Sequence, residues 1–202
     1  MNQGQTRIAV FISGGGTNLQ ALIDASMAGV LNAEISLVVS SNSKAFGLTR
    51  AENAEIVTFV FKEKNYKSKS EASQDLLEKL KKNKIDFIAL AGYPKLLSPE
   101  FVSAYNGKII NMHPALLPKY GGQGMYGRHV HQAVLASGDK ETGISFHLVD
   151  EVYDHGRIVE QFSLPVLEND TPESLQERVL KKEHEEYPKI LDKFIRGEYD
   201  NN

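Results

Sequence analysis

The stretch RIAVFISGGGTNLQ, residues 7–20, decides the fold. Arg7–Ser13 is an apolar run of strand length with no polar alternation, and three glycines follow it. Thr17–Ala28 then reads as a helix with Leu19, Leu22, Ile23 and Met27 on one face. Thr17 and Gln20 stand at capping-box spacing and mark the helix start a second time. A strand that is apolar on both sides is buried on both sides, the habit of a parallel sheet covered by helices. The alternation continues outward. Strands are expected at Glu34–Ser40, Glu55–Phe61, Ile85–Gly92 and Lys108–Met112, with helices at Ala45–Asn53, Lys67–Lys82, Pro99–Tyr105 and Val130–Ala136 between and after them. Gly143–Val149 and Arg157–Val166 read as two strands joined by DEVYDHG, an antiparallel pair. The last helix begins at Thr171-Pro172, a cap followed by proline in the first turn, and runs to about Gly197. The expected fold is α/β: a mostly parallel Rossmann-like sheet, helices on both faces, an antiparallel C-terminal strand pair, and one domain over residues 1–202.

Composition narrows the chemistry. The chain has 202 residues, 41% of them hydrophobic, and a formal net charge of −3, so no basic field awaits nucleic acid or acidic membranes. Cysteine is absent, which excludes disulfides, thiolate nucleophiles and cysteine-ligated zinc. No segment approaches the roughly 20 apolar residues of a membrane span, and the N-terminus lacks a signal-peptide pattern. The expectation is a soluble cytoplasmic protein with small-molecule partners, either a monomer or a homodimer.

Ligands of such sheets bind beyond the carboxyl ends of the strands. Gly14–Asn18, Gly92–Leu97 and Asn111–His113 all fall there and point to one crevice. The glycine loop permits a sharp turn, and the helix start behind it offers free N–H groups and a positive dipole end. Leu19 stands where a dinucleotide fingerprint needs its third glycine, and Ser40-Ser41-Asn42 supplies no ribose-binding acid. A single phosphate suits the loop; the plainer reading is a turn that tightens strand–helix packing.

Asn111 and His113 share one strand face while Met112 points away. An amide donor beside a group that carries a proton suits a reaction in which a carbonyl oxygen becomes negative. Pro114 and Pro118 stiffen the loop that follows. Asp150, Glu151 and Asp154 are each placed to back the imidazole, and spacing does not choose among them. His129 and His131 form an H-x-H pair, a weak metal signal, and no metal is expected. His147 reads as a structural strand residue, and Gly121–Gly127 as either a mobile cover or a simple turn.

The segments VFISGGGTNLQALID, LAGYPKLLSPEFV, IINMHPALLPKYGG, HVHQAV, TGISFHLVDEVYDHGRIV and RVLKKEHEEYP stand in the order found in glycinamide ribonucleotide formyltransferases, which the chain resembles from about Arg7 to Tyr187. The resemblance implies transfer of a formyl group from 10-formyltetrahydrofolate to the primary amine of glycinamide ribonucleotide, the third step of purine synthesis, without a metal. It implies Asn111, His113 and Asp154 as the central residues, and so selects Asp154 among the three acids. It implies a pterin pocket at Pro94, Lys95, Leu96 and Leu97 with Asn111 and the loop from Asp150 to Asp154. It places the phosphate on Gly16, Thr17 and Asn18, and an acceptor-contacting acid at Glu183. Departures are Arg157 in place of proline after Gly156, Lys95 where many members have arginine, Leu180 at a position polar in some, and a longer GGQGMYGRHVH stretch. Lys69 is a candidate for the basic side chain that completes the phosphate site. Rivals on the same scaffold are formyltetrahydrofolate hydrolases, with a further N-terminal domain, and methionyl-tRNA and sugar-nucleotide formyltransferases, which extend further at the C-terminus. A nucleotide-binding module without catalysis is a rival of another class, and it would not need Asn111, His113 and Asp154 together.

Overall fold

A computed structural model describes residues 5–199. Seven strands form one sheet in the order β3-β2-β1-β4-β5-β6-β7. They are β1 (Thr6–Ile12), β2 (Ala33–Ser40), β3 (Val57–Val60), β4 (Phe87–Leu90), β5 (Ile109–His113), β6 (Glu141–Leu148) and β7 (Ile158–Pro165). The first five pair in parallel. β6 runs antiparallel to both β5 and β7. The helices are α1 (Thr17–Met27), α2 (Phe46–Asn53), α3 (Lys69–Lys82), α4 (Pro99–Ala104), α5 (Arg128–Ser137) and α6 (Pro172–Ile195).

The alternation of side chains along β1 divides the core in two. Ile8, Val10 and Ile12 face a cluster with α1 and α6, including Leu19, Leu22, Tyr187 and Phe194. Ala9 and Phe11 face the other side, against Leu76 and Leu80 of α3 and Phe101 of α4. These five residues of β1 are fully buried, which is why the run needs no polar alternation. The same parity on β5 sends Ile110 and Met112 into the α1/α6 cluster. Asn111 and His113 therefore stand together on the opposite face.

Two details differ from the sequence reading. The N-cap of α1 is Gly16, in the left-handed region at φ 69°, and no side chain caps the helix. Thr17 is already helical, so the Thr17/Gln20 box does not form; the glycine bend places the chain where a threonine cap would have stood. Met27 is 82% exposed, and Leu31, buried after the turn at Gly29, closes that end of the core instead. The reciprocal box forms at α6, between Thr171 and Ser174. A short 3-10 turn at Glu63–Asn65, with no periodicity to announce it, precedes α3.

From β1 the chain crosses to β2 on one side, and β4 lies on the other. The strand order reverses at this point, so the crevice at the carboxyl ends of β1 and β4 is open to a ligand. No helix among the described residues is long and apolar enough to cross a membrane.

Candidate active site

A hollow of about 490 Å³ opens at that switch point. Gly14 and Asn18 reach it from the first strand–helix turn, Pro94, Lys95, Leu96 and Leu97 from the turn after β4, and Asn111 and His113 from the end of β5. Asp150 and Asp154 come from the β6–β7 loop, Glu183 from α6, and Gly122 to Gly127 form one wall. The three sequence stretches thus share one space.

Asp154 is the hub. Its Oδ2 lies 3.5 Å from His113 Nδ1 and its Oδ1 lies 3.5 Å from His147 Nε2. The Gly122 N–H donates to Oδ2 at 2.9 Å. Burial pushes the Asp154 carboxyl up, but the bond from His113, the charge of His113 and the Gly122 bond outweigh it and hold it well below the usual carboxylate range. Two glycines make the geometry possible. A Cβ on Gly156 would lie 1.9 Å from the Leu148 carbonyl oxygen, and one on Gly121 would lie 2.7 Å from Leu117 Cδ2 and 3.2 Å from Asp154 Cβ. Asp154 itself is left-handed, at φ 53°. The acid reaches inward because the loop is bent at these residues, a fact that local spacing does not reveal.

His147 holds a larger part than its sequence reading gave it. It sits opposite Asn111 in the β5–β6 register. Its Nδ1 lies 2.8 Å from the Leu148 carbonyl oxygen, which can only accept, so Nδ1 carries the proton. Nε2 is then an acceptor, and Asn111 Nδ2 donates to it at 3.0 Å. Asn111 Nδ2 also lies 3.4 Å from Asp154 Oδ1, a long contact for its second amide proton. The signal for His147 is two-residue parity with Ser145, and it becomes readable only once the β5–β6 register is known.

The deep corner is polar and buried. Asn18 Nδ2 donates to Glu183 Oε2 at 2.7 Å. Burial raises the Glu183 carboxyl above its ordinary value, against the Asn18 bond and the His113 charge. Burial, and then the neighbouring His113, push His131 down to about 4. Asn18 Oδ1 and His131 Nδ1 are buried with no hydrogen-bond partner among the described residues, so each is free for a ligand. His129 packs edge-on against Tyr126 instead, with ring centroids 5.8 Å apart. No group of three or more His, Asp or Glu side chains suited to a metal ion occurs among the described residues.

At the other end the Leu96 N–H donates to the Tyr153 hydroxyl at 3.0 Å, tying the 94–97 turn to the β6–β7 loop. Asp150 organises that loop: it accepts from Val152 N at 2.8 Å and from His155 Nδ1 at 2.7 Å. Burial raises the Asp150 carboxyl; the His155 and Val152 bonds prevail and lower it overall.

The glycine loop divides between its two readings. Gly14 and Asn18 line the hollow, whereas Gly16 and Thr17 do not. Gly16 packs on α2, where a Cβ would lie 2.6 Å from Gly47 Cα. Lys69 does not reach this region: its side chain is 84% exposed and 3.9 Å from Glu63. The basic group attached to the loop is Arg50, whose Nε donates to the Gly15 carbonyl at 2.9 Å and whose Nη1 donates to Gln20 Oε1 at 3.1 Å.

Residues 6–191 match the formyl transferase family. Phosphoribosylglycinamide formyltransferase of Haemophilus influenzae is 40% identical over 95% of this chain and 88% of that protein. The chloroplastic phosphoribosylglycinamide formyltransferase of Vigna unguiculata is 42% identical over 92% of this chain, which spans only 60% of that relative's length. The crystal structure of the Brucella melitensis phosphoribosylglycinamide formyltransferase is 46% identical and superposes with a TM-score of 0.86, covering 95% of this chain and 96% of that one. The sheet order, the reversal between β1 and β4 and the Asn111-x-His113-Pro114 strand end agree with these likenesses: the chain belongs to the formyl transferase family.

Proposed function

We propose that the protein transfers the formyl group of 10-formyltetrahydrofolate to the primary amine of glycinamide ribonucleotide, the third step of purine synthesis, in the cytoplasm. The convergence of Asn111, His113 and Asp154 on one hollow supports this most directly, with the His113 ring 3.5 Å from the Asp154 carboxylate.

The amine attacks the formyl carbon directly. A C–N bond forms, and the carbonyl electron pair moves onto oxygen. The Asn111 amide and the cationic His113 ring stabilise that oxyanion, and Asp154 stabilises the ring's charge. The long Asn111–Asp154 contact is weak, so the arriving oxygen displaces it at little cost. Collapse of the tetrahedral centre breaks the bond to N10 of the folate. That nitrogen takes up a proton and the attacking amine loses one, through His113 or an ordered water. No metal enters the reaction.

Pro94, Lys95, Leu96 and Leu97, with Asn111 and the loop from Asp150 to Asp154, hold the pterin. The backbone N–H groups from Gly16 to Asn18 at the uncapped start of α1 take the phosphate, with Arg50 supplying positive charge beside them. Glu183 meets the acceptor. The test is turnover of 10-formyltetrahydrofolate by purified protein with and without the ribonucleotide. Turnover that requires the amine supports the reading; equal turnover in water alone points to a hydrolase and overturns it.

A further inference from the structure

The loop after β5 contains a residue with no part in the reading above. Tyr120 is left-handed, at φ 59°, a conformation that a bulky side chain keeps only where its surroundings over-determine it. Its main-chain carbonyl oxygen lies 2.8 Å from His113 Nε2. A carbonyl only accepts, so Nε2 carries the proton. The lone pair of a neutral ring then falls on Nδ1, facing the Asp154 carboxylate at 3.5 Å. A ring bearing both protons satisfies the two acceptors at once.

We propose that Tyr120 is a positioning residue: its carbonyl, held by a clamp of Lys119, Ser137 and Asp139 on its side chain, fixes the orientation and the tautomer of His113. The clamp is outside the hollow. The Tyr120 hydroxyl donates to Asp139 Oδ2 at 2.6 Å. Lys119 Nζ donates to both oxygens of Asp139, at 2.8 and 2.6 Å, and lies 5.3 Å from the Tyr120 ring centroid. Ser137, which also bonds the phenol, ends α5. Nearer to His113 the same loop is fixed again. Ser145 Oγ accepts from Leu117 N at 2.9 Å and donates to the Ala115 carbonyl at 2.6 Å. A surface ion pair alone would not need a left-handed tyrosine. The strained residue is accounted for if the carbonyl must point inward.

The functional part of this inference rests on the formyl-transfer role of His113, and the test separates the two. Nitrogen chemical shifts of histidine-labelled protein, with His113 assigned by His113→Asn, report the tautomer without substrate. The wild-type neutral ring should be protonated on Nε2. Asp139→Ala and Tyr120→Phe should mix the tautomers and lower kcat about tenfold, the scale of lost outer-shell support, while KM for both substrates stays within about twofold. Tyr120→Gly in the Asp139→Ala background should recover part of the Nε2–H signature, because glycine takes the left-handed conformation unaided. A wild-type ring protonated on Nδ1, or folded clamp variants with unchanged shifts and unchanged kcat, overturns the proposal. An inactive wild type that keeps the Nε2–H signature removes the transfer reading and leaves the clamp standing.

Discussion

Asp154→Asn removes one charge and keeps the side chain's shape. The charge lies 3.5 Å from His113 Nδ1. At an effective dielectric constant of about 20, a carboxylate and an imidazolium at that separation attract by roughly 5 kcal/mol. Asparagine retains part of this, because its amide oxygen still accepts from Gly122 N and still presents a dipole to the ring. Its amide nitrogen turns toward His147 Nε2, which already accepts from Asn111, so the Asn111 donor is disturbed as well. A net loss of about 3 to 4 kcal/mol at the transition state corresponds to a 100- to 1,000-fold fall in kcat. Initial rates of formyl transfer at saturating amine and folate measure it, with KM determined separately and close to wild type. Stability supplies a second, independent reading. The Asp154 carboxyl is depressed in the folded state, so the stability it contributes is present above its unfolded pKa of about 3.9 and is lost as pH falls through the lower folded value. The stability difference between wild type and Asp154→Asn should therefore shrink as pH drops from about 5 toward 3. A folded Asp154→Asn enzyme with kcat within about threefold of wild type would refute the electrostatic role.

Three further outcomes follow from particular contacts. Gly156→Ala places a methyl group against the Leu148 backbone; overpacking of this kind costs about 1–3 kcal/mol, and the displaced β6–β7 loop should abolish most formyl transfer, so normal activity with an unchanged melting temperature contradicts the close approach. His131 is held neutral to about 4 while its unfolded pKa is about 6.5. The unfolded chain then binds a proton that the folded chain refuses, and stability falls as pH drops through that window; thermal melts of His131→Asn should show a shallower fall from pH 6.5 to 4, and equal slopes count against it. Tyr187 is fully buried and donates to the Leu90 carbonyl at 2.9 Å. Tyr187→Phe removes that bond and should cost about 0.5–1.5 kcal/mol in denaturant unfolding with an unchanged m-value.

The fold was legible because burial writes itself into strands. Ile8 to Ile12 have no polar residue because both faces of β1 are covered, and β6–β7 pair antiparallel as their short loop demands. The shared face of Asn111 and His113 was legible through two-residue parity alone. Residues whose roles depend on a contact distant in sequence were not. His147 matters through its register partner, and Arg50 through a glycine turn 35 residues away. The choice among Asp150, Glu151 and Asp154 came from family likeness, because the inward turn depends on the left-handed Asp154 and on the absent Cβ of Gly156. Lys69 was misplaced for the same reason: a lysine near a helix start carries no record of which way that helix faces.

The reversal of strand direction after β5 has a chemical consequence. A parallel neighbour for β5 would have brought its own carboxyl end and a helix start to the hollow. The antiparallel β6 instead sets Ser145 and His147 directly beside His113 and Asn111. His147 then fixes the Asn111 amide with its nitrogen side toward the acid, and Ser145 ties down the loop that returns to His113 as the Tyr120 carbonyl. In the proposed reaction, both groups that would meet the developing oxyanion are thus held by partners on a rigid strand, which lowers the reorganisation needed. The C-terminal strand pair therefore does more than close the sheet, because its first strand supplies these supports.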